Sequence, residues 1–200
     1  MPAHDPVNFV LVGVGGQGTL LASNILAEVG LAAGYDVKKS EVHGMAQRGG
    51  SVISHVRWHP QHVFSPIVGM AEADILLCFE KLEALRFAEY VRPGGAAVVN
   101  DMAIVPITVS AGPGTYPGDE HLTEAFKAVG AKLVMVQGEK LAQEAGNVKA
   151  ANVVLLGAVS HLIPVPEETW WECVKQRVPA KFLDVNHAAF AAGRAAVRSR

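Results

Sequence analysis

Apolar and polar positions follow two rhythms along this chain. Residues 8–14 form one continuous apolar run, the pattern of a strand buried on both faces of a parallel sheet. After a glycine-rich turn, 19–33 carries Leu20, Leu21, Ile25, Leu26, Val29 and Leu31 with few polar positions. That predicts a heavily covered helix, stopped by Gly34. Residues 37–42 predict a second strand, and a second glycine-rich turn follows it. Residues 51–58 alternate through Val52, Ile53, His55, Val56 and Trp58, a strand whose register the pattern leaves open. Val63 and Phe64 offer a hairpin partner beside it.

The rhythm then repeats. Residues 75–79 read as a buried strand and 80–91 as a helix, stopped at Pro93-Gly94-Gly95. Residues 96–99 read as a strand with Asn100-Asp101 at its end, and 110–118 as the main surface loop. A helix over 120–129 and a strand over 133–136 come next. From Lys149 the chain reads as helical, over 150–162, 167–177 and 180–197, with prolines 164, 166 and 179 at the boundaries. Strand–helix alternation with short links predicts an α/β fold: three layers, a mostly parallel sheet of Rossmann-like topology, and a helical C-terminal tail. No composition shift divides the chain, so residues 1–200 read as a single domain.

Composition narrows the function classes. The 200 residues are 50% apolar and 18% charged, enough for a sizeable core and too apolar for disorder. A net charge of −2 gives no general attraction to nucleic acid or to an anionic membrane. The two cysteines, Cys78 and Cys173, form no Cys-x-x-Cys pair, so this chain alone supplies no four-cysteine cluster. Cys78, inside an apolar run, reads as a core thiol. The N-terminal residues show no basic region before the first apolar run, and that run is too short to span a bilayer, so the expected location is cytoplasmic.

Candidate chemistry concentrates in the two glycine turns. Gly13, Gly15 and Gly18 fit Gly-x-Gly-x-x-Gly between a strand and a helix, with Gly16, Gln17 and Thr19 alongside. Such a turn lets phosphate approach the backbone at a helix N-terminus. The bland alternative is a tight turn with no ligand. Glu41, near the end of the second strand, keeps NAD binding open, since a dinucleotide fold wants an acid there.

The second segment brings Glu41, His43, Gln47 and Arg48 together with Gly49 and Gly50. Arg48 offers a planar fork for phosphate or carboxylate. The alternative is a self-satisfied loop in which Glu41 pairs with Arg48. If the two turns share one sheet edge, they build a cleft. His55, His59 and His62 have a helix-like spacing on a segment that reads as strand and turn, without a nearby acid, which argues against a metal site. Trp170-Trp171 reads as packing. No nucleophile, general acid or general base stands out.

These motifs resemble the small, gamma-type subunit of the 2-oxoacid:ferredoxin oxidoreductases. The likeness runs through Gly13–Gly18, then Ser40 to Val52, Ser65-Pro66, Ala73 to Leu77, Glu80 to Arg86, Tyr116-Pro117, Asn152 to Gly157 and Asn186 to Phe190. The chain length and the Glu80-Lys81-Leu82-Glu83-Ala84-Leu85-Arg86 run are most similar to the small (beta) subunit of the indolepyruvate branch. The resemblance implies a subunit that is inactive alone and works with a large catalytic subunit. Together they would convert an aryl pyruvate and coenzyme A into an aryl-acetyl-coenzyme A and carbon dioxide, passing electrons to ferredoxin.

It also implies that thiamine diphosphate and the iron–sulfur clusters sit on the partner, with no cofactor held firmly here. The glycine loops then contact coenzyme A or the partner subunit. An isolated subunit of this kind is expected to self-associate or to expose an apolar face. The rival class is a non-catalytic NAD(P)-binding or regulatory Rossmann-like module, which rests on the same glycine pattern.

Overall fold

The computed structural model describes residues 5–43, 50–106, 109 and 115–198, with backbone alone at His43. The elements in chain order are β1 (Val7–Val14), α1 (Thr19–Ala32), β2 (Asp36–His43), β3 (Ser51–His59), β4 (Ala73–Cys78), α2 (Lys81–Arg86), a 3-10 turn (Ala88–Tyr90) and β5 (Val91–Asn100). Then follow α3 (Asp119–Ala128), β6 (Lys132–Val136), α4 (Gly138–Glu144), α5 (Ala151–Leu162), α6 (Glu167–Arg177) and α7 (Leu183–Arg198). The strands form one six-stranded sheet in the order β2-β3-β1-β4-β5-β6. β3 runs antiparallel to both neighbours, while β1/β4, β4/β5 and β5/β6 are parallel, so five strands share one direction.

The strand rhythm sorts side chains to two cores. In β1, Val7, Phe9 and Leu11 join the core under α1 and α5, while Val10 and Val12 join the opposite core under α2 and α3. Apolar on both faces, this strand must be covered on both. The first core centres on Trp58, whose ring lies 4.6 Å from Phe9 and 6.2 Å from Trp170. Gly30 lets α1 settle on that indole, since a Cβ there would come 2.5 Å from Trp58 Nε1. α7 packs on α5, and α5 on the sheet, so the helical tail folds back onto the core.

Several sequence expectations change. Residues 80–91 do not form one helix: α2 ends at Arg86, a 3-10 turn covers Ala88–Tyr90, and β5 already starts at Val91. The pairing of Val91 with Ala73 and the Ala71 N–H donated to Glu89 O draw the chain into the sheet there. Pro93 and Gly94 lie within β5 on an exposed stretch where a missing N–H is tolerated.

Val63 and Phe64 make no hairpin, because β3 is already paired on both edges. Val63 is instead buried with its N–H donated to Asp36 Oδ2 (2.8 Å), and Phe64 is 88% exposed. α1 is less covered than expected, since Leu20 and Leu31 are exposed. The short helix α4 was not expected from the pattern.

Candidate functional site

The two glycine turns lie at one sheet edge. β1 and β3 pair to their ends, Val14 opposite Ser51, and Gly15 N–H donates to Gly50 O at 2.9 Å. Gln47, Arg48, Gly49 and the His43 side chain fall outside the described residues. The His43 backbone pairs with Val52 across β3, so the second segment leaves the sheet two strands from the first turn and returns beside it at Gly50. Ser51 Oγ donates to the buried Glu83 carboxylate, which also accepts from Arg86 (2.7 Å). The stem of the second segment is thereby tied to α2.

Within the first turn, Gly16 (φ 106°) and Gly18 (φ 88°) hold backbone conformations that favour glycine. A Cβ on Gly18 would also stand 2.7 Å from Asn152 Nδ2. Gln17 braces the turn: its Oε1 accepts from Val14 N–H (2.7 Å) and its Nε2 donates to Phe79 O (3.0 Å). Thr19 is buried in the first turn of α1. With the Gly15 N–H on Gly50 O and the Gln17 N–H on Val14 O (3.2 Å), the turn's remaining main-chain donors are those of Gly16 and Gly18.

These residues border a cleft of about 480 Å³ over the ends of β1, β4 and β5. α1 leaves β1 toward one face of the sheet and α2 leaves β4 toward the other. The cleft thus opens at the switch point, where ligands bind in open α/β sheets. Its floor is stitched by two amides on one carbonyl. Asn100 Nδ2 donates to Phe79 O (3.2 Å), the same oxygen that Gln17 holds, and to Glu139 Oε1 (3.0 Å). Asn100 Oδ1 accepts from Gly138 N–H (3.0 Å).

The far wall is the start of α5, with Lys149, Ala151 and Asn152. Neither α1 nor α5 has a side-chain cap or an acidic residue in its first turn. The uncapped N-terminus of α1 and the Lys149 ammonium give the cleft a positive potential, whereas Asn147 already holds the N–H groups of Lys149 and Ala150 ahead of α5. Periodicity could not reveal Asn100, Lys149 and Asn152 as lining residues. The signal available was a helix start lacking both cap and acid.

Met102, at the start of the loop after β5, also lines the cleft, and the stems of that loop are held nearby. The buried Glu80 carboxylate accepts from Glu83 N–H (2.9 Å), from Ile104 N–H (2.9 Å) and from the Tyr116 hydroxyl. Burial, and then the bond to Glu80, push the Tyr116 phenol well above its ordinary pKa. Lys81 bridges Asp101 (3.1 Å) and Asp119 (2.9 Å), and the bond to Asp119 raises its pKa against desolvation. Glu80 and Lys81 therefore hold both stems of that loop beside the cleft.

Other candidates are placed elsewhere. Glu41 accepts from Lys39 (2.7 Å) and Ser23 (3.0 Å), facing α1. β3 stands between β2 and β1, so Glu41 is about 10 Å, two strand spacings, from the glycine turn. That is too far for the ribose-reading acid of a dinucleotide fold. His55 is buried, accepts from Val68 N–H (3.3 Å), and has its pKa lowered by desolvation. His59 Nδ1 accepts from Gln61 and His62 N–H, and His62 meets Asp36 at 3.0 Å, so the three histidines face different partners. Cys78 is fully buried and its thiol pKa is raised well by desolvation.

The sequence profile of the pyruvate ferredoxin/flavodoxin oxidoreductase family matches residues 8–196. The chain belongs to this family. An indolepyruvate oxidoreductase subunit IorB from Thermococcus kodakarensis is 45% identical over 189 residues, covering 93% of each chain. The keto/oxoacid ferredoxin oxidoreductase gamma subunit of Geobacter sulfurreducens superposes with TM-score 0.72 at 23% identity, over 97% of this chain and 99% of that one.

A 2-oxoglutarate:ferredoxin oxidoreductase from Magnetococcus marinus, solved with 2-oxoglutarate, coenzyme A and succinyl-CoA, gives 0.77 at 20% identity. It is matched over 98% of this chain and 32% of its own. The fold is thus that of the gamma subunits, and the chain is the small subunit of a 2-oxoacid:ferredoxin oxidoreductase. Among the described residues, no helix is long and apolar enough to cross a membrane.

Proposed function

We propose that this chain, as one gamma-type domain over residues 1–200, is the small subunit of an indolepyruvate:ferredoxin oxidoreductase in the cytoplasm. The observation that carries the substrate assignment is the 45% identity to an indolepyruvate oxidoreductase subunit across 93% of both chains. The reaction takes an aryl pyruvate, coenzyme A and two oxidised ferredoxins. It yields the aryl-acetyl thioester, carbon dioxide, two reduced ferredoxins and a proton.

Thiamine diphosphate and iron–sulfur clusters would supply decarboxylation and electron transfer, and the donor set here does not fit the clusters. Cys78 and Cys173 are both buried, in opposite cores of the sheet. We assign both groups to the large subunit. This chain's part is to dock there and to hold coenzyme A. The main-chain N–H groups of Gly16 and Gly18 and the Lys149 ammonium form a wall suited to its phosphates.

The test is the reconstituted complex with its large subunit. Turnover is expected with indolepyruvate in preference to pyruvate, and only with both subunits present. Lys149→Gln should raise the KM for coenzyme A about tenfold while the oxoacid KM holds. Preference for pyruvate would refute the substrate assignment. An unmoved coenzyme A KM would refute the role given to the cleft.

A further inference from the structure

Helix α1 is apolar all round: of its 14 residues, Glu28 alone is charged. A helix of that kind is ordinarily covered on every side. The inner face is covered, with Ala22, Ile25, Leu26 and Val29 fully buried against the sheet. The outer face is not. Leu20 is 46% and Leu31 59% exposed, and Asn24 and Ala27 lie half-buried between them. Residues 20, 24, 27 and 31 fall on one line along the helix, because steps of four, three and four residues keep to a single face. That is the spacing of a seam that meets another helix.

Size and charge say what covers it. The charges that border the seam are cancelled within the chain. Glu28 accepts from Arg177 of α6 (2.8 Å), and Lys39 of β2 donates to Asn24 Oδ1 and to Glu41 Oε1 (2.7 Å). A two-fold contact sets each surface against its own copy, so an uncancelled charge there would repel itself. The spacing also reads the same in both directions. With two α1 helices antiparallel, Leu20 meets Leu31 of the second copy and Asn24 meets Ala27, large groups at the ends and small ones at the crossing. The helix is only about 21 Å long. Permanent subunit interfaces bury about 2,000 Å² or more, so this short seam is not the face that holds a large subunit. Strand addition at the adjoining sheet edge is discouraged by Lys38 and Lys39 on β2.

We propose that the outer face of α1 pairs with the same face of a second copy of this chain, antiparallel about a two-fold axis that passes between Asn24 and Ala27. The contact is isologous and dry at its centre. It is weak for the free chain, because one seam of this length is all that holds it. The pairing stands whatever the glycine cleft binds.

The experiment uses two variants of the full chain, Leu20→Cys and Leu31→Cys. Both positions are exposed, and the native thiols Cys78 and Cys173 are buried. In the antiparallel register, position 20 of one copy faces position 31 of the other, while like positions stand about 16 Å apart along the helix. Mild oxidation of the mixed variants should therefore yield at least about tenfold more disulfide-linked dimer than either variant alone. Sedimentation of the wild-type chain should show a dimer that grows with concentration. Ala27→Glu sets like charges across the axis and should weaken that dimer at least about tenfold. An equimolar mixture of Ala27→Glu and Ala27→Lys should restore it.

Equal cross-linking in the mixture and in the separate variants overturns the antiparallel pairing, and so does a wild-type chain that stays monomeric at every concentration. A dimer that Ala27→Glu leaves intact places the contact elsewhere, which also overturns it. If Ala27→Glu folds but no longer binds the large subunit, the seam belongs to that subunit and the proposal falls. Should Ala27→Glu fail to fold by circular dichroism, the cross-linking of the two cysteine variants decides.

Discussion

Gly15 and Gly50 are joined main chain to main chain, with the Gly15 N–H on the Gly50 carbonyl at 2.9 Å. The bond couples two segments far apart in sequence at the mouth of one cleft. It exists because β3 inserts antiparallel beside β1, bringing the start of one strand against the end of the other.

The glycines of the first turn are not equivalent. Gly18→Ala meets both a left-handed φ of 88° and Asn152 Nδ2 at 2.7 Å. Gly16→Ala meets only its φ of 106°, with nothing within 4 Å. We expect about 2 kcal/mol of destabilisation for Gly18→Ala, a fall in Tm of about 4–8 °C. Gly16→Ala should lose about half as much. Equal losses by thermal denaturation would show that Asn152 yields without resistance.

A second close approach lies between helices. A Cβ on Gly193 would overlap Val154 O, and one on Gly157 would overlap Phe190 O. Both obstacles are backbone, so neither moves aside cheaply. Gly193→Ala should therefore destabilise by about 3 kcal/mol, read as a drop in the urea midpoint. A midpoint within error of wild type would mean that α5 and α7 part without loss.

Tyr116 should impose an alkaline limit. Its phenol pKa is raised from 10.0 by burial and by the bond to Glu80. A raised folded-state pKa contributes stability that is complete below the unfolded value, near 10, and is lost as pH climbs through the folded one. Wild-type stability should thus fall above about pH 10 more steeply than that of Tyr116→Phe. Parallel curves of unfolding free energy against pH for the two proteins would contradict this.

Arg48 is expected to act on a ligand or on the partner. If it holds a phosphate of coenzyme A, Arg48→Ala should lower kcat/KM for coenzyme A roughly 10- to 150-fold, with the oxoacid KM almost unmoved. If it contacts the large subunit, assembly should weaken while assembled enzyme keeps its coenzyme A KM. Unchanged kinetics, assembly and stability would leave Arg48 as a solvated loop residue.

The isolated chain should be colourless, bind no thiamine diphosphate and fail to reduce benzyl viologen with indolepyruvate and coenzyme A. It should also self-associate in light scattering or keep an apolar face exposed, as expected of a chain that docks on a larger subunit. Stoichiometric iron or turnover without the partner would contradict the first expectation, and a clean monomer with no exposed apolar patch the second.

The sequence by itself determined the parts that depend on local rhythm. Apolar runs such as 8–14 must be strands covered on both faces, and the glycines after Val14 must turn the chain into a helix. These follow from periodicity and from φ values that side chains disfavour. The family was legible for a related reason, since the two glycine segments carry unusual residues close together in the chain.

Tertiary structure decided the rest. Nothing local tells strand 51–59 to run antiparallel between β1 and β2, because a strand's alternation is the same whichever way its neighbour runs. That placement moved Glu41 away from the glycine turn and removed the hairpin at Val63. Pairing of Val91 with Ala73 likewise cut short a helix that the pattern would have continued. Gln17 is a brace only because Phe79 O lies within 3.0 Å. Asn152 and Asn186 line one hollow only because Gly157 and Gly193 let their helices touch, a relation between distant residues that no window of sequence contains.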